Sequence, residues 1–299
     1  MGGVGRVVGM RTRPVRVPVY GAVMTPSDTR LAPGAYLDHV RTESARFLEV
    51  LTGCDPAARV PACPDWDAGD LLWHLSGVQW FWQQTMLVRP GGPADPEQAP
   101  PRADSYAGLL EQCATASAGL VDVLTGLDPD EPAWSWADHV PGGQSVGFTL
   151  RRQAHEALIH RLDAEQTADA DRVTPLDPVL AADGVAELLE VMYGGEAPPW
   201  GRIEPGAHHV RVDLRDTGHS LWVQPCTFLG TDPESGKNHD GPHVRVVDDP
   251  GHAPSAVVSA DAAELDAAWW KRRSDDVLEV SGDRAAYLEL WTAISPPLD

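Results

Sequence analysis

Nowhere in these 299 residues is there an apolar run of the length that a membrane-spanning helix takes, about 20 residues. A helical membrane protein is therefore excluded. There is also no internal repeat, which removes solenoids and propellers. Cysteine is scarce. Cys54, Cys63, Cys113 and Cys226 are widely spaced and none form a CxxC pair. They read as free thiols of a reducing cytoplasm rather than a disulfide framework, although Cys54 and Cys63 flank a turn and are the pair a bridge would join. Positive charge is short as well, with 23 Lys and Arg against 44 Asp and Glu and a net charge of −21. Phosphate binding needs a basic surface, so nucleic acid and anionic membranes are poor partners. Small-molecule business suits the chain, though acidity alone implies only solubility.

The start of the chain holds Arg6, Arg11, Arg13 and Arg16 and no early acidic residue. That is how a signal peptide opens, but no apolar core follows, only Pro14, Pro18 and scattered valines. Residues 1–30 read as a disordered extension, and Met24 is a candidate true start.

What remains is long enough for two domains with their own cores. Residues 31–170 show apolar periodicity of helical type in four stretches: 34–52, 67–88, 105–127 and 145–164. Asp67 is placed to cap the second, with Asp70 three residues on. The connections at 89–104 and 128–144 are long and rich in Pro, Gly and polar residues. Residues 175–299 change character. Helical patterns at 178–194, 260–272 and 282–294 are mixed with alternating runs at 210–214, 221–223, 243–248, 255–259 and 277–280. The polar stretch Gly230 to Pro242 reads as a mobile loop. The expected fold class is a helical domain followed by a small α+β domain.

Chemistry concentrates in His155-Glu156-Ala157-Leu158-Ile159-His160. On a helix, Glu156 and His160 project from one face a turn apart, which suits one metal ion. The two histidines are five apart, about 140° round the helix, so this is not the two-histidine zincin motif. A third ligand has to come from elsewhere, and His74, on the inward side of the second helix with Leu71 and Val78, is the best candidate. An inward histidine needs a polar or metal partner. The helix of about 67–88 spans about 30 Å, and the 89–104 connection can span about 50 Å. The third helix can therefore return to run parallel to the second, leaving the fourth antiparallel to it. Only that crossover brings His74 level with Glu156 and His160.

Three stretches resemble the mycothiol-dependent maleylpyruvate isomerase family. Val60-Pro-Ala-Cys-Pro-Asp-Trp-Asp-Ala-Gly-Asp-Leu-Leu-Trp-His-Leu-Ser-Gly-Val78 is similar to its VPxCPxWxxxDLxxHLxxV signature. Arg151-Arg-Gln-Ala-His-Glu-Ala-Leu-Ile-His-Arg-Leu-Asp-Ala164 is similar to its RRxAHExxxHRxDA. Leu265 to Gly282 resembles its closing helix and strand more loosely, with Trp-Trp-Lys-Arg-Arg where the family often has Leu-Trp-Gly-Arg. The resemblance implies a DinB-like four-helix bundle with crossover topology, joined to a C-terminal domain related to sterol-carrier folds. It implies metal ligands at His74, Glu156 and His160, a divalent ion, zinc, and mycothiol as thiol cofactor. The activity implied is isomerisation or S-transfer on a small electrophilic, anionic substrate, in the cytoplasm. Arg272 sits at the family's Gly-Arg position and is either a binder of a substrate carboxylate or a helix-terminal surface arginine. His155 either supports the ligands from behind or simply packs. Trp134 and Trp136 either line a pocket mouth or pack on the domain, and Cys63 reads as structural. A metal-binding protein without catalysis is the alternative. The sequence leaves the substrate, and the choice between monomer and homodimer, open.

Overall fold

The computed structural model describes residues 29–296. Most of the expected extension, and Met24, lie outside them. Thr29 and Arg30 do not belong to an extension: Thr29 donates to Asp183 and Arg30 to Glu190.

Helix α1 (Pro33–Thr52) starts with proline in its first turn and buries Tyr36, Val40, Ser44, Phe47 and Leu51, a stripe at intervals of three and four. A two-stranded hairpin, β1 (Arg59–Val60) and β2 (Cys63–Asp67), then leads into α2 (Ala68–Leu87). Asp67 caps α2 as its side chain predicts. It accepts from the Asp70 amide at 2.9 Å, and the Asp70 carboxylate accepts from the Asp67 amide at 3.1 Å. This reciprocal box satisfies two orphan donors and fixes the phase of everything downstream, His74 included. Ser105 and Ser145 cap α3 (Tyr106–Leu124) and α4 (Val146–Asp169) from one side only, each hydroxyl accepting one amide, of Gly108 and Phe148. Helix α4 runs five residues beyond the predicted Ala164.

Side-chain pairings give the helix directions. Tyr36, Glu43 and Arg46 of α1 meet His155, Arg161 and Glu165 of α4 in the same order, so the two are parallel. Gly69, Gln79 and Gln83 of α2 meet Leu109, Ser117 and Gly119 of α3, again in order. Phe148, early in α4, packs against Trp82, late in α2, while His160 meets His74 near the start of α2. Helices α2 and α4 are therefore antiparallel, and the chain between 88 and 105 climbs back to the level where α2 began. Arg102 fastens that connection to Asp70 at 2.7 Å.

Helix α5 (Pro178–Glu187) continues as a π-helical turn, Leu188–Met192. A mixed sheet follows, built on the long strand β5 (His219–Thr231). On one side β5 pairs antiparallel with β3 (Gly201–Pro205) and β4 (Val210–Leu214), and on the other with β6 (Asn238–Val247). Strand β4 pairs parallel with β7 (Ala256–Ala260), which pairs antiparallel with β8 (Glu279–Gly282). Alternate residues Val210, Val212 and Leu214 are buried, as their spacing predicts. Two expectations are corrected. The stretch read as a loop over Gly230 to Pro242 is mostly the end of a β5–β6 hairpin, with only the turn between Thr231 and Asn238 outside the strands. Its polar side chains are exposed, so no alternation marked them. Strand β3 was not predicted, and β8 begins two residues later than expected, behind a short 3₁₀ turn at Asp275–Val277.

Helix α6 (Ala262–Trp269) packs on α5, and α7 (Arg284–Ala293) packs across the sheet. One hydrophobic cluster runs from Tyr36 and Leu158 through Leu188 to Val212, Leu265 and Leu290. The helical and sheet-bearing parts thus share a continuous core. A second cluster, with Phe47, Leu71, Leu75 and Leu109, lies at the end of the helices where α2 begins.

Candidate metal centre

His74 stands two turns into the capped start of α2, and Glu156 and His160 lie one turn apart on α4. Because α2 and α4 are antiparallel, the three reach the same level. Nε2 of His74 and Nε2 of His160 face each other at 3.1 Å. Oε1 of Glu156 is 3.1 Å from the latter and 3.4 Å from the former. A tetrahedral ion with nitrogen and carboxylate bonds of roughly 2.0–2.2 Å holds its ligand atoms about 3.3–3.6 Å apart. The triangle matches that within a few tenths of an ångström, so these three residues fit a divalent ion.

The residues behind the triangle set its chemistry. Nδ1 of His160 lies 2.9 Å from Oδ2 of Asp163, a fully buried carboxylate. A carboxylate only accepts, so Nδ1 carries the proton and the Nε2 lone pair points at Glu156 and His74. With neutral rings this brings acceptors together, an arrangement relieved by a proton or a cation. Burial disfavours charge on His160, but its hydrogen bonds to Asp163 and Glu156 prevail and lift its pKa to about 9. Burial likewise pushes Glu156 up, yet hydrogen bonds from His160 and His74 and the charges of His160 and Arg152 hold it well below the ordinary range. Arg152 donates to the other Glu156 oxygen at 3.2 Å and is anchored by Glu187. The Trp66 ring packs against His74 with centroids 4.8 Å apart.

Arg272 reaches this group from the other half of the chain. Nε and Nη2 fork onto Asp163 at 3.0 and 2.9 Å, and Nη1 donates to the Trp270 carbonyl at 2.7 Å. Its guanidinium is thus held by the protein, behind His160. The backbone that aims it turns at Lys271, which has φ 63°, and the Arg272 amide closes back onto the Ala267 carbonyl at 2.8 Å. This is the position where the resembling family carries glycine, the residue that takes a positive φ without strain.

His155 does not touch the triangle. Its Nε2–H donates to Asp183 at 3.0 Å on the opposite side of α4, as the 140° offset requires. Trp134 packs on Phe81 and Trp82, and Trp136 on Phe148 and His139, so neither lines the cavity at the triangle. Sequence reasoning missed Asp163. The signal was present, an aspartate three residues beyond His160, but that spacing alone also describes any solvated helix pair.

The triangle opens into a cavity of about 590 Å³ between the two halves of the molecule. Cys63 and Trp66 form one wall, Met192 and Tyr193 another, and Trp269 and Trp270 a third. The four cysteines are free. Burial raises the pKa of Cys63 above that of an ordinary thiol, which argues against a resident thiolate nucleophile. No helix among the described residues is long and apolar enough to cross a membrane.

Residues 37–165 match the family described as mycothiol maleylpyruvate isomerase N-terminal domain, and residues 179–289 match its C-terminal domain. No curated protein sequence matches the chain. Two solved structures are similar over 87% of this chain and 96% of their own, each with 16% identity. One is a mycothiol-dependent maleylpyruvate isomerase, with a TM-score of 0.44, and the other is a histidine-to-alanine mutant under the same name, with a TM-score of 0.48.

Proposed function

The chain belongs to the mycothiol maleylpyruvate isomerase family, and on that premise we propose that it is a metal- and thiol-dependent enzyme, an isomerase or S-transferase acting on a small electrophile. The observation that carries the reading is the triangle of His74, Glu156 and His160, with edges of 3.1, 3.1 and 3.4 Å, opening on one side into a cavity. The four N-terminal helices, residues 31–170, are read as a DinB-like bundle with a crossover, and residues 175–299 as the α+β domain that closes the cavity. A reducing cytoplasm suits four unpaired cysteines.

The chain's own residues divide the work. His74, Glu156 and His160 would hold a zinc-like ion and leave a position open to the cavity. Such an ion, when bound, acidifies a thiol such as that of mycothiol near neutral pH. Asp163 keeps the proton on Nδ1 of His160, so that Nε2 stays available at neutral pH once the competing proton leaves. Arg152 orients Glu156, and Arg272 orients Asp163. Trp66, Trp269 and Trp270 exclude water and lower the local dielectric, which strengthens each electrostatic contact.

Titration of the purified protein with cobalt(II), followed by a low-molecular-weight thiol, tests this. One ion per chain and a new thiolate-to-metal absorbance on adding thiol are expected. A four-coordinate spectrum indifferent to thiol would make the site structural.

A further inference from the structure

Three hollows share lining residues in succession along α2. The first is the cavity of the triangle, walled partly by Trp66 and His74. The second, about 530 Å³, shares those two residues and adds Trp73, Gly77, Val78 and Asp70, whose carboxylate is paired with Arg102. The third, about 430 Å³, shares Trp73 and Gly77 and runs on between Trp80, Phe81 and the Pro96–Pro100 segment. Trp73, Gly77, Trp80 and Phe81 fall at helical intervals of four, three and one, which makes one stripe. From His74 to Phe81 the helix advances about 10 Å.

Gly77 joins the second hollow to the third. A glycine in mid-helix weakens the helix relative to alanine, so its presence wants a reason. Packing gives none, because a side chain there would meet nothing within 4 Å. The space it leaves is open and borders both hollows.

The third hollow is lined by no charged side chain. Its polar groups are Ser76, Gln83, Gln112 and Thr115; Gln112 is bonded to the Pro101 carbonyl and the Ala103 amide and Thr115 to the Glu111 carbonyl, so an anionic group there would find no cation to replace its water. The cations of the first cavity are engaged as well: Arg152 by Glu156 and Glu187, Arg272 by Asp163, and Lys271 by the Ile294 carbonyl and the Trp291 ring. We infer that the electrophile this enzyme takes carries an extended or flat apolar arm, about 10 Å long, that lies along the Trp73–Gly77–Trp80 stripe with its reactive end at the triangle. This rests on the metal–thiol reading above, and it departs from the small anionic substrate that the sequence suggested.

The test uses zinc-loaded full-length protein and a series of unreactive probes, phenol to 4-hexylphenol, with binding read from tryptophan fluorescence. In the wild type, affinity rises about fourfold per added methylene, the increment for burying one such group. In Gly77→Leu, whose side chain fills that open space, the dependence on length disappears. Gly77→Leu keeps a melting temperature at or above that of the wild type, because leucine is the better helix former and its Cβ enters open space. Affinity flat across the series, or rising equally in both proteins, overturns the inference. So does quenching that follows protein concentration instead of probe length, since a second copy would then cover the stripe. A parallel cobalt–thiol titration separates the two claims. Loss of thiol binding with the length dependence intact sinks the metal reading alone, and the reverse sinks the arm alone.

Discussion

Helix α4 carries two histidines five residues apart, and their surroundings differ in one respect that matters. His155 is 1% exposed and donates to Asp183, which also receives two bonds from the Arg151 fork at 2.9 and 2.8 Å, one from Tyr36 at 2.6 Å and one from Thr29 at 3.3 Å. Donors meet acceptors there, and Asp183 is completely buried. His160 is 7% exposed, and on its outward side two imidazole nitrogens and a carboxylate oxygen converge at the mouth of a cavity. Burial of the two imidazoles is similar, although His74 and Glu156 are more exposed than Asp183 and Arg151. The difference is that the Asp183 carboxylate is paired within the fold, whereas the triangle brings acceptors together that are relieved only by a proton or a cation. A buried carboxylate paired on both oxygens holds a fold together, and a group of converging acceptors that opens to a cavity is built to bind.

The largest effect separating the two sides is expected from His74→Ala. It should abolish stoichiometric cobalt binding and leave far-UV circular dichroism and the urea midpoint near those of the wild type. Arg151→Ala should do the opposite. It leaves Asp183 charged, buried and short of its main partner, at a cost of about 3–5 kcal/mol in urea unfolding, while metal binding in the folded fraction persists. If Arg151→Ala were harmless, the closed-cluster account would fail.

Smaller effects sharpen the comparison. Asp163→Asn removes the carboxylate behind His160 and should weaken metal affinity by about 10–100-fold in a competition titration, without loss of stoichiometry. In the metal-free protein His160 titrates near 9, so metal uptake below that pH must displace a proton. Apparent affinity should therefore rise about tenfold per pH unit and level off above about pH 9. For the stability of the metal-free fold the sign reverses. A raised pKa contributes stability that is full below 6.5 and lost as pH rises through about 9. The smallest effect concerns the turn that aims Arg272. Lys271→Gly relieves a positive φ but loses the Lys271 contacts to Ile294 and Trp291. Its melting should change by less than about 1 kcal/mol.

How far the sequence carried this picture follows from locality. The i,i+4 pair of Glu156 and His160 is written in one helix, and His74 stood out as an inward-facing histidine that the long 89–104 connection allowed to come level with them. Asp67 was legible as a cap for the same reason. Asp163 was not, since its task depends on Arg272 arriving from a residue 109 positions away. The role of Arg272 stayed open because the terminus of one helix says nothing about what faces it. Gly77 passed unnoticed, as a mid-helix glycine takes meaning only from the empty space beside it. The β5–β6 hairpin looked like a loop because its β6 half, Asn238 to Pro242, carries no large apolar residue, so the alternation in burial left no mark on the sequence.

The most direct test of the central claim is zinc-edge X-ray absorption on the zinc-loaded protein, before and after addition of a low-molecular-weight thiol. Light nitrogen and oxygen neighbours at about 2.0–2.2 Å, joined on adding thiol by one sulfur at about 2.3 Å, are the predicted result. A first sphere that gains no sulfur, or one unchanged when His74 is replaced by alanine, would contradict it.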